Sequence, residues 1–300
     1  ENEIGCQLTY LAARLTGSPF IIWSEEIDYQ IVRDRRESTF ASCVKKIGPF
    51  VGRYVQKILF FPFLYGAVYT KRHADAYLAA GQKTEEHLTT LGAKGPFFRH
   101  GSTIDTKGFE RQLQEQDTSA TKRLLKVEGK TVILSVSYLQ KRKGVQYLIE
   151  AFLRLNHPGA VLVIVGDGEY KTELLKLLPN GRDDIIWVGH DENTAQYYAI
   201  ADIFVMPSFS DPWGLTVNEA MLAGLPVVAT SNIGAQELIQ GNGYVISPRD
   251  SSSLETALQH LLQNPETRRQ MGRRSQEIIK SYTIEHSAET CRDAIHAVLS

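Results

Sequence analysis

Asp211 and Glu219, eight positions apart in the stretch from Phe209 to Thr230, are the residues whose types and spacing most directly suggest chemistry. They bracket the start of a helix: Leu215 to Ala223 has helical apolar spacing, Gly224 stands where a C′ glycine ends such a helix, and Pro226 opens the run PVVAT. Ahead of them ADIFVMPS, Ala201 to Ser208, is a β-branched and aromatic run closed by proline, as a buried strand would be. Open α/β sheets collect ligands in the loops beyond the carboxyl ends of their strands. The unpaired amides and positive dipole of a helix starting at Pro212 to Leu215 suit a phosphate, and a carboxylate one turn later suits two ribose hydroxyls. Both acids together fit a nucleotide carrying a sugar. The plain alternative is a helix cap at Asp211 and a surface acid at Glu219.

Three cations reinforce the first reading. Lys141, Arg142 and Lys143 stand between a strand, Thr131 to Val136, and a helix from Gly144 to Leu155 with apolar Val145, Leu148, Ile149 and Phe152. At that junction they face the same crevice, where a diphosphate leaving group brings about two negative charges. Read alone, the run is also what a solvated basic turn looks like. A third strand, AVLVIV, runs into Gly166-Asp167-Gly168; the spacing is not that of a phosphate loop, because the position three past Gly168 is Lys171, and a tight turn explains both glycines. A fourth runs to Val188 and the Gly189-His190 turn, followed by a helix from about Asn193 that carries Tyr197 and Tyr198. His190, a lone loop histidine, is not assigned as an acid or base.

The stretch from 209 to 230 resembles the donor-binding region of the retaining, family 4 glycosyltransferases of GT-B fold, whose pattern is E-x(7)-E followed by A-x-G-x-P-V-V; Asp211 replaces the first glutamate. The resemblance implies that Glu219 grips the donor ribose, that Asp211 contacts the donor sugar, and that the amides following Pro212, those of Trp213, Gly214, Leu215 and Thr216, hold sugar and phosphate. The family's G-R-L-x-x-x-K-G keeps Leu139, Lys143 and Gly144 here but has Tyr138 in the arginine's place. Either Lys141 or Arg142 then supplies the missing charge, or Lys143 carries it with the helix dipole. Gly166 and Gly168 match the family's V-G-x-G turn lining the donor pocket, and Gly189 with His190 supplies backbone to the nucleobase. Asp167 with Glu169 also reads as the D-x-D metal pair of the other large glycosyltransferase class, but the spacing and the glycine turn argue against it, and neither a metal nor a cofactor is expected.

Composition agrees with an α/β enzyme: 300 residues, 43% apolar and 22% charged, are enough for one or two cores and leave no sign of disorder. Cys6, Cys43 and Cys291 form no C-x-x-C pair, so neither a zinc site nor a disulfide framework is indicated, and a reducing cytoplasm fits. Charge is concentrated near the start, where nine Lys or Arg face two carboxylates between Arg33 and Arg72. Within that run Ile58 to Tyr69 is uncharged and aromatic, too short to span a bilayer. Two readings follow for 45–72: contact with the inner membrane surface, or a buried helix with a solvated basic face. No nucleic-acid module is recognisable, and a crevice lined by carboxylates argues against that partner.

Further upstream PFIIWSEEID resembles the family strand whose tip faces the donor; a histidine is frequent there, and Glu25 is the candidate in this chain. Next come a strand at Ala76 to Ala80, a helix with Thr84 as its cap and Gly92 as its stop, a short strand near Phe97, and Ser102 to Asp105 in place of the family's N-x-V-D. The expected fold is α/β of GT-B type: a partial Rossmann-like acceptor-side domain over 1–115, a complete donor domain over 116–283 and a crossover helix over 284–300. The absence of an initial methionine and of a first strand with a glycine-rich turn suggests an N-terminally incomplete enzyme. The function expected is metal-independent transfer of a sugar, with retention, from a nucleotide-diphosphate donor to a saccharide or lipid-linked acceptor in polysaccharide assembly, in the cytoplasm or on the inner membrane. The alternatives are a nucleotide-sugar epimerase or hydrolase of the same architecture, and a non-catalytic nucleotide-sugar-binding module.

Overall fold

In the computed structural model the described residues are 21–24, 72–179 and 182–299. The chain divides into two compact units, Glu1–Gly101 with Ala288–Ser300 and Ser102–Ser287. In the first unit, three parallel strands lie side by side in chain order, β1 (Ile21–Ser24), β2 (Ala76–Ala79) and β3 (Phe97–Arg99), with helix α1 (Gln82–Thr90) between the last two. Every residue of β2 is buried, and Tyr77 stacks on Phe97 with ring centroids 4.8 Å apart. Gly92, at φ 91°, ends α1 as its position implies. Thr84 does not cap it. Only Ala80 and Gly81 separate β2 from the helix, so the cap falls on Gly81 in extended backbone and Thr84 is buried in the first turn.

The second unit opens with α2 (Thr106–Gln114) and α3 (Thr118–Leu125), each capped by an aspartate: Asp105 accepts from the Gly108 amide and Asp117 from the Ala120 amide. The alternation that follows is β4 (Thr131–Val136), α4 (Val145–Leu155), β5 (Ala160–Val165), α5 (Lys171–Leu175), β6 (Ile185–Gly189), α6 (Ala195–Ile200), β7 (Ile203–Met206), α7 (Leu215–Leu222), β8 (Val227–Thr230) and β9 (Gly243–Ile246). Helices α8 (Ser251–Gln263), α9 (Pro265–Ile279) and α10 (Ile284–Leu299) complete the chain.

All six strands of this unit are parallel, in the order β6-β5-β4-β7-β8-β9. Their continuous apolar runs follow from burial on both faces. On one face Ile133, Leu162, Ile164, Ile203 and Val205 pack with Leu148 and Phe152 of α4 and with Leu254, Leu258 and Leu261 of α8. The alternate residues Leu134, Val163, Phe204 and Val227 are fully buried on the other face. The strand order reverses between β4 and β7, which pair through Ile133 with Ile203 and Leu134 with Phe204. After β4 the chain builds outward through β5 and β6, and after β7 it builds the opposite way. Loops leaving the carboxyl ends of these two strands therefore part, and the crevice that opens there is where such sheets bind ligands.

Candidate functional site at the switch point of the sheet

The loop after β4 is laid down by backbone contacts. Leu139 is fully buried; its amide donates to Asp167 O at 2.8 Å and its carbonyl accepts from the Tyr170 amide at 2.9 Å. The chain then makes a 3₁₀ turn at Lys141–Lys143 and enters α4 through Gly144 at φ 69°. Gly144 is held against the other loop of the crevice: a Cβ there would sit 2.0 Å from the carbonyl oxygen of Pro207, just after β7. Beside it the Phe209 amide donates to Arg142 O at 3.0 Å.

This seam brings the cations to the first acid. Lys143 Nζ lies 2.5 Å from Asp211 Oδ2 and Arg142 Nη1 3.3 Å from the same oxygen, while Arg142 also donates to Ser210 O at 2.9 Å and to Gln140 Oε1 at 3.1 Å. The Asp211 and Lys143 side chains are only 11% and 15% exposed. A charge pair so far from water holds its geometry firmly, since losing either partner strands the other. Of the two cations that stood as substitutes for the arginine missing at Tyr138, Arg142 is the one that converges with Lys143; Lys141 is exposed. Tyr138, also exposed, donates a hydrogen bond to Glu169, and that bond raises the phenol above its ordinary value.

The neighbouring turn is tight. A Cβ on Gly166 would lie 1.9 Å from Ser137 O, and one on Gly168 2.4 Å from Leu139 O, so the β5 turn is pressed against the β4 loop. Both carboxylates of the D-x-D reading are engaged locally, Asp167 with the Gly168 amide and Lys171 Nζ, Glu169 with Tyr138. At the end of β6, Gly189 O accepts from the Gly166 amide at 2.7 Å, and His190 is exposed. The following loop is pinned by Asp191, which accepts from Tyr197 at 2.6 Å and from Gln196 at 3.1 Å.

Helix α7 starts at this same edge. Gly214, at φ 103°, precedes its first residue, Pro212 and Leu215 are exposed, and Thr216 is half-buried with its hydroxyl 3.7 Å from Met206 Sδ. The first amides of a helix have no carbonyl one turn back to bind and so face outward for an anion. The Trp213 indole is not part of that surface: it is 3% exposed and donates to Asn218 Oδ1 at 2.9 Å, while the Asn218 amide donates to Ser102 O at 3.0 Å. Trp213 therefore offers the crevice its backbone alone. In the second turn, half-buried Glu219 accepts the Tyr198 hydroxyl on Oε2 at 2.6 Å. Burial pushes the Glu219 carboxyl above its ordinary value, and the Tyr198 bond opposes that rise. Neither Asn218 nor Tyr198 was singled out as a site residue from sequence; the only signal was their position, one beside Glu219 and the other on the helix leading into β7. Glu25 and nearly all of the basic, aromatic segment 45–72 lie outside the described residues. Among the described residues no helix is long and apolar enough to cross a membrane.

Comparison with known proteins agrees with this architecture. The chain is 29% identical over 243 residues to the sulfoquinovosyl transferase SQD2 of Arabidopsis thaliana, covering 78% of this chain and 46% of that one. It is 33% identical over 211 residues to a GDP-mannose-dependent monoacylated α-(1-6)-phosphatidylinositol monomannoside mannosyltransferase of Corynebacterium glutamicum, covering 66% and 55%. The chain thus spans about half the length of the curated relatives it matches. In fold it is similar to the crystal structure of Anabaena Alr3699/HepE in complex with UDP, with a TM-score of 0.77 at 18% identity over 98% of this chain and 77% of that one. The architecture is α/β of GT-B type. The sequence model of the glycosyl transferases group 1 family matches residues 116–278, more than half of the chain, and the protein belongs to that family.

Proposed function

We propose that this chain carries the donor-binding machinery of a retaining, metal-independent glycosyltransferase that moves a sugar from a nucleotide-diphosphate donor to a saccharide or lipid-linked acceptor in glycan assembly. The observation that carries the proposal is the meeting of Lys143, Arg142 and Asp211 across the β4–β7 switch point, beside the amino end of α7. In the reaction the bond from the anomeric carbon to the β-phosphate oxygen breaks and its electron pair leaves with the diphosphate, while an acceptor hydroxyl oxygen bonds to that carbon and passes its proton to the leaving phosphate. Lys143, Arg142 and the amides of 214–216 face that growing charge, and preorganised donors of this kind contribute several kcal/mol in a water-poor crevice. Asp211 has its carboxylate beside the same cations, where it meets the sugar. Glu219 takes the ribose hydroxyls, while Gly166, Gly168, Gly189 and His190 border the nucleoside with backbone.

A lipid-linked acceptor is supported by the names of the relatives, one of which acts on a phosphatidylinositol monomannoside. Uridine and guanosine sugar nucleotides both occur among these proteins, as a UDP-glucose complex and a GDP-mannose-dependent enzyme. The test is calorimetric titration of UDP-glucose, GDP-mannose and ADP-glucose into wild type and Glu219→Ala. One donor binds wild type, and the variant loses more than about tenfold in affinity, the value of a charge-assisted contact to a diol. Binding of none of the three, or an unchanged affinity in the variant, overturns the reading. Transfer in the presence of EDTA and the anomeric configuration of the product by proton NMR test the metal-independent and retaining parts.

A further inference from the structure

Tyr198 is buried to 1% exposure on α6, and its ring is fixed by two others, Phe109 of α2 edge-on at 5.7 Å and Phe204 of β7 at 5.6 Å. Its hydroxyl has one proton to give. Two acceptors lie within reach, Glu219 Oε2 at 2.6 Å and Thr216 O at 3.4 Å, and the shorter contact takes it. Among the described residues the other oxygen, Oε1, makes no hydrogen bond. A glutamate on a helix otherwise has three torsions free to turn. Here the carboxylate is tied at one oxygen to a ring that cannot swing.

We propose that Tyr198 is a positioning residue for donor recognition: its hydroxyl fixes one oxygen of Glu219 and presents the rest of the carboxylate to the pentose diol, so that Tyr198 sets the preference for ribo- over 2′-deoxyribonucleotides. The inference rests on the reading of Glu219 as the ribose ligand. Charge balance agrees with the geometry. Burial, and after it the adjacent Glu219 carboxylate, pushes the Tyr198 phenol far above its ordinary value, so the shared proton stays on tyrosine. The same bond works against the burial that raises Glu219 and so favours the ionised form that accepts two hydroxyl donors.

The experiment titrates UDP, GDP and ADP, each beside its 2′-deoxy counterpart, into the full chain as wild type, Tyr198→Phe, Glu219→Gln and the double variant. The readout is the ratio of ribo to deoxy affinity, which does not depend on the fraction of protein folded and so survives partial destabilisation. Tyr198→Phe is expected to cut this ratio about three- to tenfold, the worth of one hydrogen bond to a charged group, while affinity for the deoxy form, which keeps the 3′-hydroxyl, falls by less than that for the ribo form. Glu219→Gln should cut it at least as far, and the double variant no further. A preserved ratio in Tyr198→Phe with a lost one in Glu219→Gln overturns the inference and leaves the ribose reading standing, whereas a ratio lost in Tyr198→Phe but preserved in Glu219→Gln overturns both. A ratio preserved in both, or no binding of any of the three probes, overturns the ribose reading and the inference with it.

Discussion

The proposed ribose contact is strongest with an ionised carboxylate, and Glu219 sits where ionisation is costly. Its carboxyl is raised from the ordinary 4.5 first by burial, with Tyr198 pulling the other way. The folded chain therefore holds this proton more tightly than the unfolded chain. The stability contributed by the group is fully present below 4.5 and is lost as pH rises through the raised value, so at neutral pH the ionised acid destabilises the fold. Glu219→Gln keeps an oxygen for the Tyr198 hydroxyl and removes the charge. The variant should unfold a few degrees above wild type at neutral pH, on the order of 1 kcal/mol, and the gap should close as pH falls below the ordinary carboxylate range. Thermal scans across pH check this; an equal or lower melting temperature at neutral pH shows that Glu219 bears no desolvation cost. Together with the expected loss of nucleotide affinity, such a gain marks a residue kept for binding at the expense of stability.

Most of the elements of the second unit were legible in the sequence because its strands are buried on both faces. Thr131 to Val136 coincides with β4, and the glycine stop at Gly224, φ 73°, closes α7. What stayed hidden is what no period or spacing encodes. Tyr198 meets Glu219 from 21 positions away, and Asn218 reaches Ser102 across 116, so the partners of the α7 acid and of its neighbour emerge only when helices pack. Thr84 shows the converse error, a good capping residue overridden by a two-residue connection. The glycines allow a test at this scale. Gly144 and Gly189 both have positive φ, 69° and 86°, but a Cβ on Gly144 would collide with Pro207 O while one on Gly189 meets nothing within 4 Å. Gly189→Ala should cost about 1 kcal/mol of backbone strain, and Gly144→Ala several times that, because the β4 and β7 loops must part. Denaturant midpoints decide; equal losses mean that the seam between the loops yields easily.

At the scale of the molecule, the family match begins at 116, whereas the compact unit that holds the site begins at Ser102. The fourteen intervening residues are tied to the site inside that unit. Ser102 O accepts the Asn218 amide that also anchors Trp213, Thr103 donates to Tyr282 O at 2.5 Å, and Phe109 backs the Tyr198 ring. A fragment cut at 116 exposes Tyr198 and leaves the Asn218 amide without its acceptor, a loss of about 1–3 kcal/mol for the amide alone before the packing is counted. Two fragments separate the consequences, 102–287 and 116–287. The longer should bind the nucleoside diphosphate as the full chain does. The shorter should melt roughly 5 °C lower or more, since each kcal/mol shifts a unit of this size by about 2–4 °C. Its discrimination between ribo- and deoxynucleotides should weaken more than its affinity for diphosphate, because Lys143, Arg142 and Asp211 keep all their contacts while the support behind Glu219 is removed. Equal melting temperatures, or an equal fall in both binding terms, would mean that 102–115 is a passive lead-in and that the donor site is complete from 116 onward.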